Sequence, residues 1–223
     1  MMEKNIGLIK EMLTFHRNEE NAEPMEKYMR NQFPFLGIKT PERNQLAKEF
    51  FHKTNLLKEP FNEEFVLKLW IEPEREYQYV ALDYIGKSLK KLDKEQMPFF
   101  EQLITTKSWW DTVDMLAPKP VGKIAAEHPG MIEEYLEGWA NGENLWLRRS
   151  ALLFQLKYKN KTNAQLLYRY ISLNAESKEF FIQKAIGWAL REYSKTNPDS
   201  VQQFIDNQPL APLSVREGSK YLS

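Results

Sequence analysis

The chain has 223 residues and no cysteine, which excludes disulfides, thiolate nucleophiles and cysteine-ligated metal sites. Apolar residues make up 42% and charged residues 28% of the sequence, ordinary proportions for a soluble globular protein. No apolar stretch is long enough to cross a membrane, and the histidines at positions 16, 52 and 128 lack the spacing of metal ligands. We therefore expect a cytoplasmic protein without a metal ion and without a membrane partner.

The predicted elements are all helices, because apolar residues recur at helical spacing along the chain. Phe65, Leu69 and Trp70 form one such stripe, and no long alternating run predicts a strand. Prolines separate many of the segments, and several would occupy the first turn of a helix, which tolerates proline. In chain order the predicted helices lie near 5–17, 23–33, 41–53, 62–71, 74–90, 95–105, 109–127 (interrupted), 130–140, 145–159, 163–173, 178–194, 198–206 and 211–221.

Five of these segments align at a spacing of 35 residues. Such a fixed period is typical of stacked helical units. It predicts an all-α fold, a single-domain α-solenoid of HEAT-like or armadillo-like helical repeats over residues 1–223, with a concave face. Residues in one column of the alignment should then be neighbours in space. The fifth column consists of Asn44, Tyr79, Asp114, Arg149 and Lys184.

The third copy contains a candidate site. Ser108 is predicted to cap a helix, with Asp111 three residues later, so Trp110 and Asp114 would share a helical face. Pro118 cannot donate the hydrogen bond that the Asp114 carbonyl would accept, so the helix should break there. A break beside an aspartate and tryptophans favours a functional site. The alternative is an irregularity that only lets the repeats curve.

The fifth copy places Phe180, Lys184 and Trp188 on one face. Indole rings beside Asp114 suit a cationic ligand, whereas Arg149 and Lys184 suit phosphate groups. A structural salt bridge between Asp114 and Arg149 is the alternative, and a tight, buried pair would favour it. The other indoles are assigned to the core: Trp70, Trp139 and Trp146.

Basic and acidic residues are distributed unevenly, although the formal net charge is zero. Residues 61–140 contain 9 lysines and arginines against 15 acidic residues, whereas residues 141–195 contain 10 against 4. This excess can form a basic surface on a neutral protein. A mixed, solvated surface is the alternative, and charge alone does not separate the two. Arg148 lies in this basic segment and is a further candidate for binding phosphate groups.

The sequence resembles the AlkD-like DNA alkylation repair glycosylases over nearly its whole length. The best segments are AEPMEKYMRNQFPFLGIKTPER, LWIEPEREYQYVALDY, ITTKSWWDTVD, NLWLRRSALLFQLKYK and SKEFFIQKAIGWALREYSKTNP, which are long, ordered and co-linear. The resemblance implies HEAT-like repeats and removal of positively charged N3- or N7-alkylated purines, such as 3-methyladenine and 7-methylguanine, from double-stranded DNA. It implies no cofactor.

The resemblance also implies roles for individual residues. Asp114 would be the catalytic acid, Trp110 and Trp188 its aromatic partners and Arg149 the phosphate-binding arginine. The remaining DNA contacts would come from Tyr28, from the pair Phe180 and Phe181, and from Lys39, Thr40, Pro41 and Arg43. At position 39 this chain has lysine where the family usually has glutamine, which adds one charge.

Chemistry supports the same function. Alkylation makes the purine a good leaving group, so Asp114 need only stabilise an oxocarbenium-like sugar or orient water. With no obvious lysine nucleophile, we expect a monofunctional enzyme, and a monomer, since a long duplex must reach the concave face. Two alternatives stay open, a non-catalytic HEAT-like DNA-binding module and a protein-binding scaffold.

Overall fold

The computed structural model describes residues 2–222, and all of the regular secondary structure in that range is helical. The predicted all-α class is thereby confirmed. The chain divides into two compact units, Met1–Leu92 and Asp93–Ser223. The prediction of one domain over 1–223 stays a prediction. Within residues 2–222 no helix is long and apolar enough to cross a membrane.

The described part of the first unit, residues 2–92, contains five α-helices. Helix α4 packs against α5, and α1 packs against α3 and α4. Their contact faces bury the predicted stripe of Phe65, Leu69 and Trp70, each at most 2% exposed. The helices are α1 (Met2–Phe15), α2 (Glu19–Tyr28), α3 (Thr40–Thr54), α4 (Glu63–Trp70) and α5 (Arg75–Lys87).

Helix α2 lies several residues earlier than the predicted 23–33. The Asn18 side chain accepts a hydrogen bond from the backbone N–H of Asn21 at 2.9 Å, which caps the helix at its observed start. Pro24 consequently lies inside the helix rather than in its first turn. The end is set by Arg30 and Asn31, whose φ angles of 55° and 54° are left-handed and stop a right-handed helix.

The second unit is built around two helices, α10 and α12. Helix α10 contacts α6, α7, α9 and α12, and α12 also packs closely on α14. Helix α10 begins at the predicted residue because Asn144 caps it, but it ends at Leu153 instead of residue 159. The helices are α6 (Met97–Thr105), α7 (Trp110–Leu116), α8 (Gly122–Glu127), α9 (Glu137–Asn141), α10 (Leu145–Leu153), α11 (Ala164–Asn174), α12 (Phe180–Ser194), α13 (Pro198–Asn207) and α14 (Pro212–Gly218).

The predicted break after Asp114 is confirmed. Helix α7 ends at Leu116 and is followed by a π-helical segment, Ala117–Val121, that contains both Pro118 and Pro120. Proline has no N–H to offer the carbonyl four residues earlier, and a wider turn is one way to accommodate that loss. The break therefore lies directly after the turn that carries Asp114.

Candidate functional site

Asp114 on α7 and Arg149 on α10 form a bidentate ion pair. Arg149 Nε donates to Asp114 Oδ1 at 2.7 Å, and Nη2 donates to Oδ2 at 2.8 Å. Two parallel bonds of this kind fix the orientation of both groups as well as their separation. The column of the 35-residue alignment correctly predicted that these two residues are neighbours.

The guanidinium of Arg149 is buried and donates from all three of its nitrogens inside the protein. Its Nη1 donates to the backbone carbonyl of Phe181 on α12, and its side chain is only 2% exposed. The observed pair is the tight, buried arrangement that favours a structural salt bridge. In this conformation Arg149 is not an open phosphate-binding group, contrary to the expectation of a guanidinium facing a groove.

Asp114 keeps more access to solvent than its partner, with 14% of its side chain exposed. Burial raises the pKa of the Asp114 carboxyl, while the hydrogen bonds and positive charge of Arg149 oppose that rise. The charge of Asp111, three residues earlier on α7, raises the pKa further. Arg149 therefore orients the carboxylate and favours its ionised form in a partly buried position.

Trp188 on α12 lies within cation–π distance of two guanidinium groups. The Cζ atom of Arg149 is 5.5 Å from the indole centroid, and that of Arg191 is 5.8 Å away. Trp188 is partly exposed, as is Trp110, which lies one helical turn before Asp114. Asp114, Arg149 and Trp188 are thus brought together as the sequence predicted, with Arg149 between the carboxylate and the indole.

An aromatic cluster formed by Trp109, Trp146 and Phe181 borders this pair. Ring centroids lie 5.7 Å apart for Trp109 and Trp146, and 5.1 Å from each indole to Phe181. The assignment of Trp146 to the core is wrong, since its side chain is only partly buried, whereas Trp70 and Trp139 are core residues as predicted. Phe180 extends from the cluster, 51% exposed and edge-on to Phe181.

Trp109 was missed because the predicted cap at Ser108 is wrong. The Ser108 hydroxyl donates back to the carbonyl of Ile104 at 2.6 Å, and Trp109 itself is the N-cap in an extended conformation. An extended residue projects its side chain in a different direction from a helical one. Trp109 consequently meets Trp146 and Phe181. The adjacent tryptophans in the sequence were the available signal.

Two other cations of the predicted site, Lys184 and Arg148, have partners outside the pair. Lys184 on α12 forms an ion pair with Glu217 on α14 at 3.2 Å. Arg148 donates from Nε to the Asn174 side chain on α11 at 2.8 Å, so it turns to a different neighbour from Arg149. Arg148 is partly buried and is not a free surface cation.

The remaining predicted DNA contacts belong to the first unit. Tyr28, at the end of α2, is 72% exposed, and three residues at the start of α3 are exposed as well. Arg43 differs, because it is 8% exposed and its guanidinium lies 4.6 Å from the Tyr79 ring centroid. Arg43 is therefore a packed side chain rather than an open contact. The exposed residues of α3 and its cap are Lys39, Thr40 and Pro41.

A buried carboxylate holds the segment that leads into these residues. Glu76 on α5 accepts backbone N–H bonds from Leu36 and Gly37 at 2.9 Å and from Ile38 at 3.1 Å. Burial raises the pKa of Glu76, and these backbone hydrogen bonds oppose the rise. No sequence pattern pointed to this contact, which fixes the chain just before Lys39.

Residues 2–222 contain no group of three or more His, Asp or Glu side chains placed to hold a metal ion. The protein is thus all-helical, and its candidate site is an aspartate, paired with an arginine, beside aromatic rings. The chain belongs to the DNA alkylation repair enzyme family, whose profile matches residues 9–222.

Two solved structures are similar to the chain, and the first agrees with that assignment. The chain is similar to a predicted DNA alkylation repair enzyme from Enterococcus faecalis, with 39% identity, a TM-score of 0.85, and coverage of 93% of this chain and 97% of the other. It shares a fold with smu.31 from Streptococcus mutans UA159 at 20% identity and a TM-score of 0.59, covering 81% of this chain and 98% of that one. The comparison with curated proteins finds no match.

Proposed function

We propose that the chain is an AlkD-like DNA glycosylase built from HEAT-like repeats. It would hydrolyse the N-glycosidic bond of N3- or N7-alkylated purines in double-stranded DNA, as a monofunctional, monomeric enzyme of the cytoplasm. The observation that carries the proposal is the position of Asp114 in a member of the alkylation repair family. Its carboxylate is held in a fixed orientation and is partly exposed, one helical turn from Trp110 and beside the contact between Arg149 and Trp188.

The chemistry places a modest demand on the protein. An alkylated purine already carries positive charge, so it leaves without protonation, and the developing sugar cation is what needs stabilisation. A preorganised carboxylate supplies that stabilisation in a partly dry site. Because both Asp114 oxygens accept from Arg149, the carboxylate arrives oriented and ionised, with its remaining lone pairs for the sugar or for water.

Arg149 consequently has two roles in the proposal. In the DNA-free protein it orients Asp114. It would contact a phosphate only if its buried Nη1 became accessible, through the second N–H of Nη1 or in exchange for the carbonyl of Phe181, and either route keeps the two bonds to Asp114 intact. The exposed residues Tyr28, Phe180, Lys39, Thr40 and Pro41 would contact the duplex directly.

The test is release of 3-methyladenine or 7-methylguanine from methylated duplex DNA. Wild-type protein should release the base, and Asp114→Asn should slow release by about 100-fold or more, the scale for removing one preorganised electrostatic group. Asp206→Asn is the matched control, since this exposed aspartate on α13 accepts only a local bond from Gln202. No release by wild type, or equal rates for the two variants, would refute the proposal.

The alternative is a non-catalytic DNA-binding module, and the buried Asp114–Arg149 pair is the observation in its favour. It predicts salt-dependent affinity for duplex DNA, no base release, and unchanged affinity in Asp114→Asn. A protein-binding scaffold predicts no salt-dependent affinity at all. The release assay and a salt titration of binding therefore separate the three functions.

A further inference from the structure

Glu217 on α14 gathers three cations around one buried carboxylate. Its side chain is 6% exposed, and its oxygens lie 2.7 Å from Lys220 Nζ, 3.2 Å from Lys184 Nζ and 3.5 Å from Arg191 Nη1. Three positive charges around one negative charge leave an excess of positive charge. We call Glu217 and these three cations the Glu217 cluster.

The carboxylate is built into the contact between α12 and α14. A Cβ atom on Gly187 of α12 would overlap the Cβ atom of Glu217, so only glycine allows the two helices to approach this closely. The Ser214 hydroxyl on α14 also donates to the carbonyl of Gln183 on α12 at 3.0 Å. Glu217 is therefore held at one place on α12, between Lys184 and Arg191.

The cations of the cluster remain accessible although the carboxylate does not. The exposed fractions of their side chains are 27% for Lys184, 27% for Arg191 and 46% for Lys220. The hydrogen bond from Lys220, followed by the contact with Lys184, lowers the pKa of Glu217 to about 2, so the carboxylate is ionised at neutral pH. A buried anion with accessible cations presents positive charge to solvent.

The cluster is adjacent to the candidate site. Lys184 and Arg191 lie one turn before and one turn after Trp188 on α12, and Arg191 is within cation–π distance of that indole. Long, flexible basic side chains lose conformational entropy when they bind phosphate. A buried carboxylate that holds three of them in place reduces that loss, because the side chains are already ordered before the ligand arrives.

We propose that Glu217 is a positioning residue that orders Lys184, Arg191 and Lys220 as one binding patch for the phosphates of duplex DNA. This inference rests on the proposed function for its ligand and adds Arg191 and Lys220 to the contacts. Glu217 itself does not touch DNA. A purely structural Glu217 that clamps α14 to α12 is the competing explanation.

The Glu217→Gln substitution separates the two explanations, because they predict changes of opposite sign. Removing a negative charge beside DNA should by itself tighten binding. If Glu217 positions the cations, Glu217→Gln should instead raise the Kd for unmodified duplex several-fold and reduce the slope of log K against log salt by about 1, one phosphate contact. Fluorescence anisotropy at several salt concentrations measures both quantities.

Glu192→Gln is the matched control. Glu192 is also on α12, pairs with Lys195 at 2.6 Å, and gives the same change in charge outside the cluster. We expect equal or tighter binding for this variant. Tighter or unchanged binding by Glu217→Gln, with the protein folded, would overturn the proposal and leave only the structural role.

A second variant keeps the inference testable if Glu217→Gln does not fold. Arg191→Gln leaves the carboxylate with both lysines and should also weaken binding and lower the salt slope by about 1. Unchanged Kd and slope in Arg191→Gln would overturn the proposal independently. Because these assays use undamaged DNA, a wild type that binds but releases no base would refute the glycosylase proposal while leaving this one standing.

Discussion

The Asp114–Arg149 pair should behave as a strongly coupled unit in unfolding experiments. Arg149→Met keeps much of the side-chain stem but removes the guanidinium, which leaves the Asp114 carboxylate without its bidentate donor. Asp114→Ala leaves the guanidinium of Arg149 without its acceptor. The double variant leaves neither charge behind, so its cost should be well below the summed costs of the two single variants.

The burial of the two groups sets the expected magnitudes. Breaking a buried ion pair by removing one partner costs about 3–5 kcal/mol of the free energy of unfolding. Asp114 is 14% exposed, so we place Arg149→Met at about 3 kcal/mol, the lower end of that range. Arg149 is 2% exposed, so we place Asp114→Ala at about 4 kcal/mol. The coupling free energy should then be about 3 kcal/mol.

Urea denaturation of the wild type, the two single variants and the double variant measures this coupling. Equal m-values across the four proteins would show that the same surface is exposed on unfolding, which matters in a chain with two compact units. Arg148→Met is the control, because Arg148 bonds to the neutral side chain of Asn174, so it should cost about 1.5–3 kcal/mol and show no coupling to Asp114→Ala. Single effects that add to within about 0.5 kcal/mol would refute the coupling.

The Asp114–Arg149 pair also predicts how stability and the proposed activity depend on pH. Burial raises the pKa of Asp114 above its ordinary value of 3.8, so the folded protein binds this proton more tightly than the unfolded chain does. The stability contribution of Asp114 therefore falls as the pH rises through the window between 3.8 and the folded-state pKa. Arg149→Met removes the main opposing cause, so the acidic limit of the proposed base release should move to higher pH. A limit that stays in place would contradict this role of Arg149.

Three further predictions concern the buried contacts around the site. The pKa of Glu217 is lowered from 4.5 to about 2, so the stability that this ionised carboxylate provides should be lost as the pH falls through that window. Glu217→Gln should remove this part of an acid-unfolding curve. Glu76→Gln replaces one acceptor oxygen with an NH2 donor that faces backbone N–H donors, so it should cost about 1–3 kcal/mol and give faster amide exchange at residues 36–38 than in wild type. Unchanged exchange would argue against this role of Glu76. Gly187→Ala should lower the melting temperature, whereas Gly86→Ala, which has open space around its Cβ, should not.

Local sequence patterns predicted the helical class and one helix break, and the 35-residue period predicted one contact of the site. Helical spacing predicted the all-α class, and the missing N–H of Pro118 predicted the break after Asp114. The alignment column predicted that Asp114 and Arg149 are neighbours, because residues one period apart were expected to lie side by side, and the two do form an ion pair. These inferences rest on backbone chemistry and on periodicity, both of which can be read without tertiary structure.

The contacts that were missed depend on how helices pack. Trp109 was placed on a helix when it is an extended cap, so its side chain joins Trp146 and Phe181 instead. Glu217 is in a helix that the 35-residue alignment does not include, and its approach to α12 depends on a glycine that carries no periodic signal. The resemblance implied a DNA contact at Arg43, but this side chain is buried and its guanidinium lies over the ring of Tyr79.

The arrangement of charge on α12 changes how the alignment column should be interpreted. The column places a negative charge at Asp114 and positive charges at Arg149 and Lys184, and the positive charges could bind phosphate only if they were unpaired. Arg149 is neutralised by Asp114, and Lys184 forms an ion pair with Glu217. The excess positive charge comes from Arg191 and Lys220, which share that same carboxylate. An anion should therefore be drawn to the Glu217 cluster rather than to the Asp114–Arg149 pair. A duplex held there by its phosphates would leave the Asp114 carboxylate available for the sugar cation, which is the division of tasks that glycosidic bond cleavage needs.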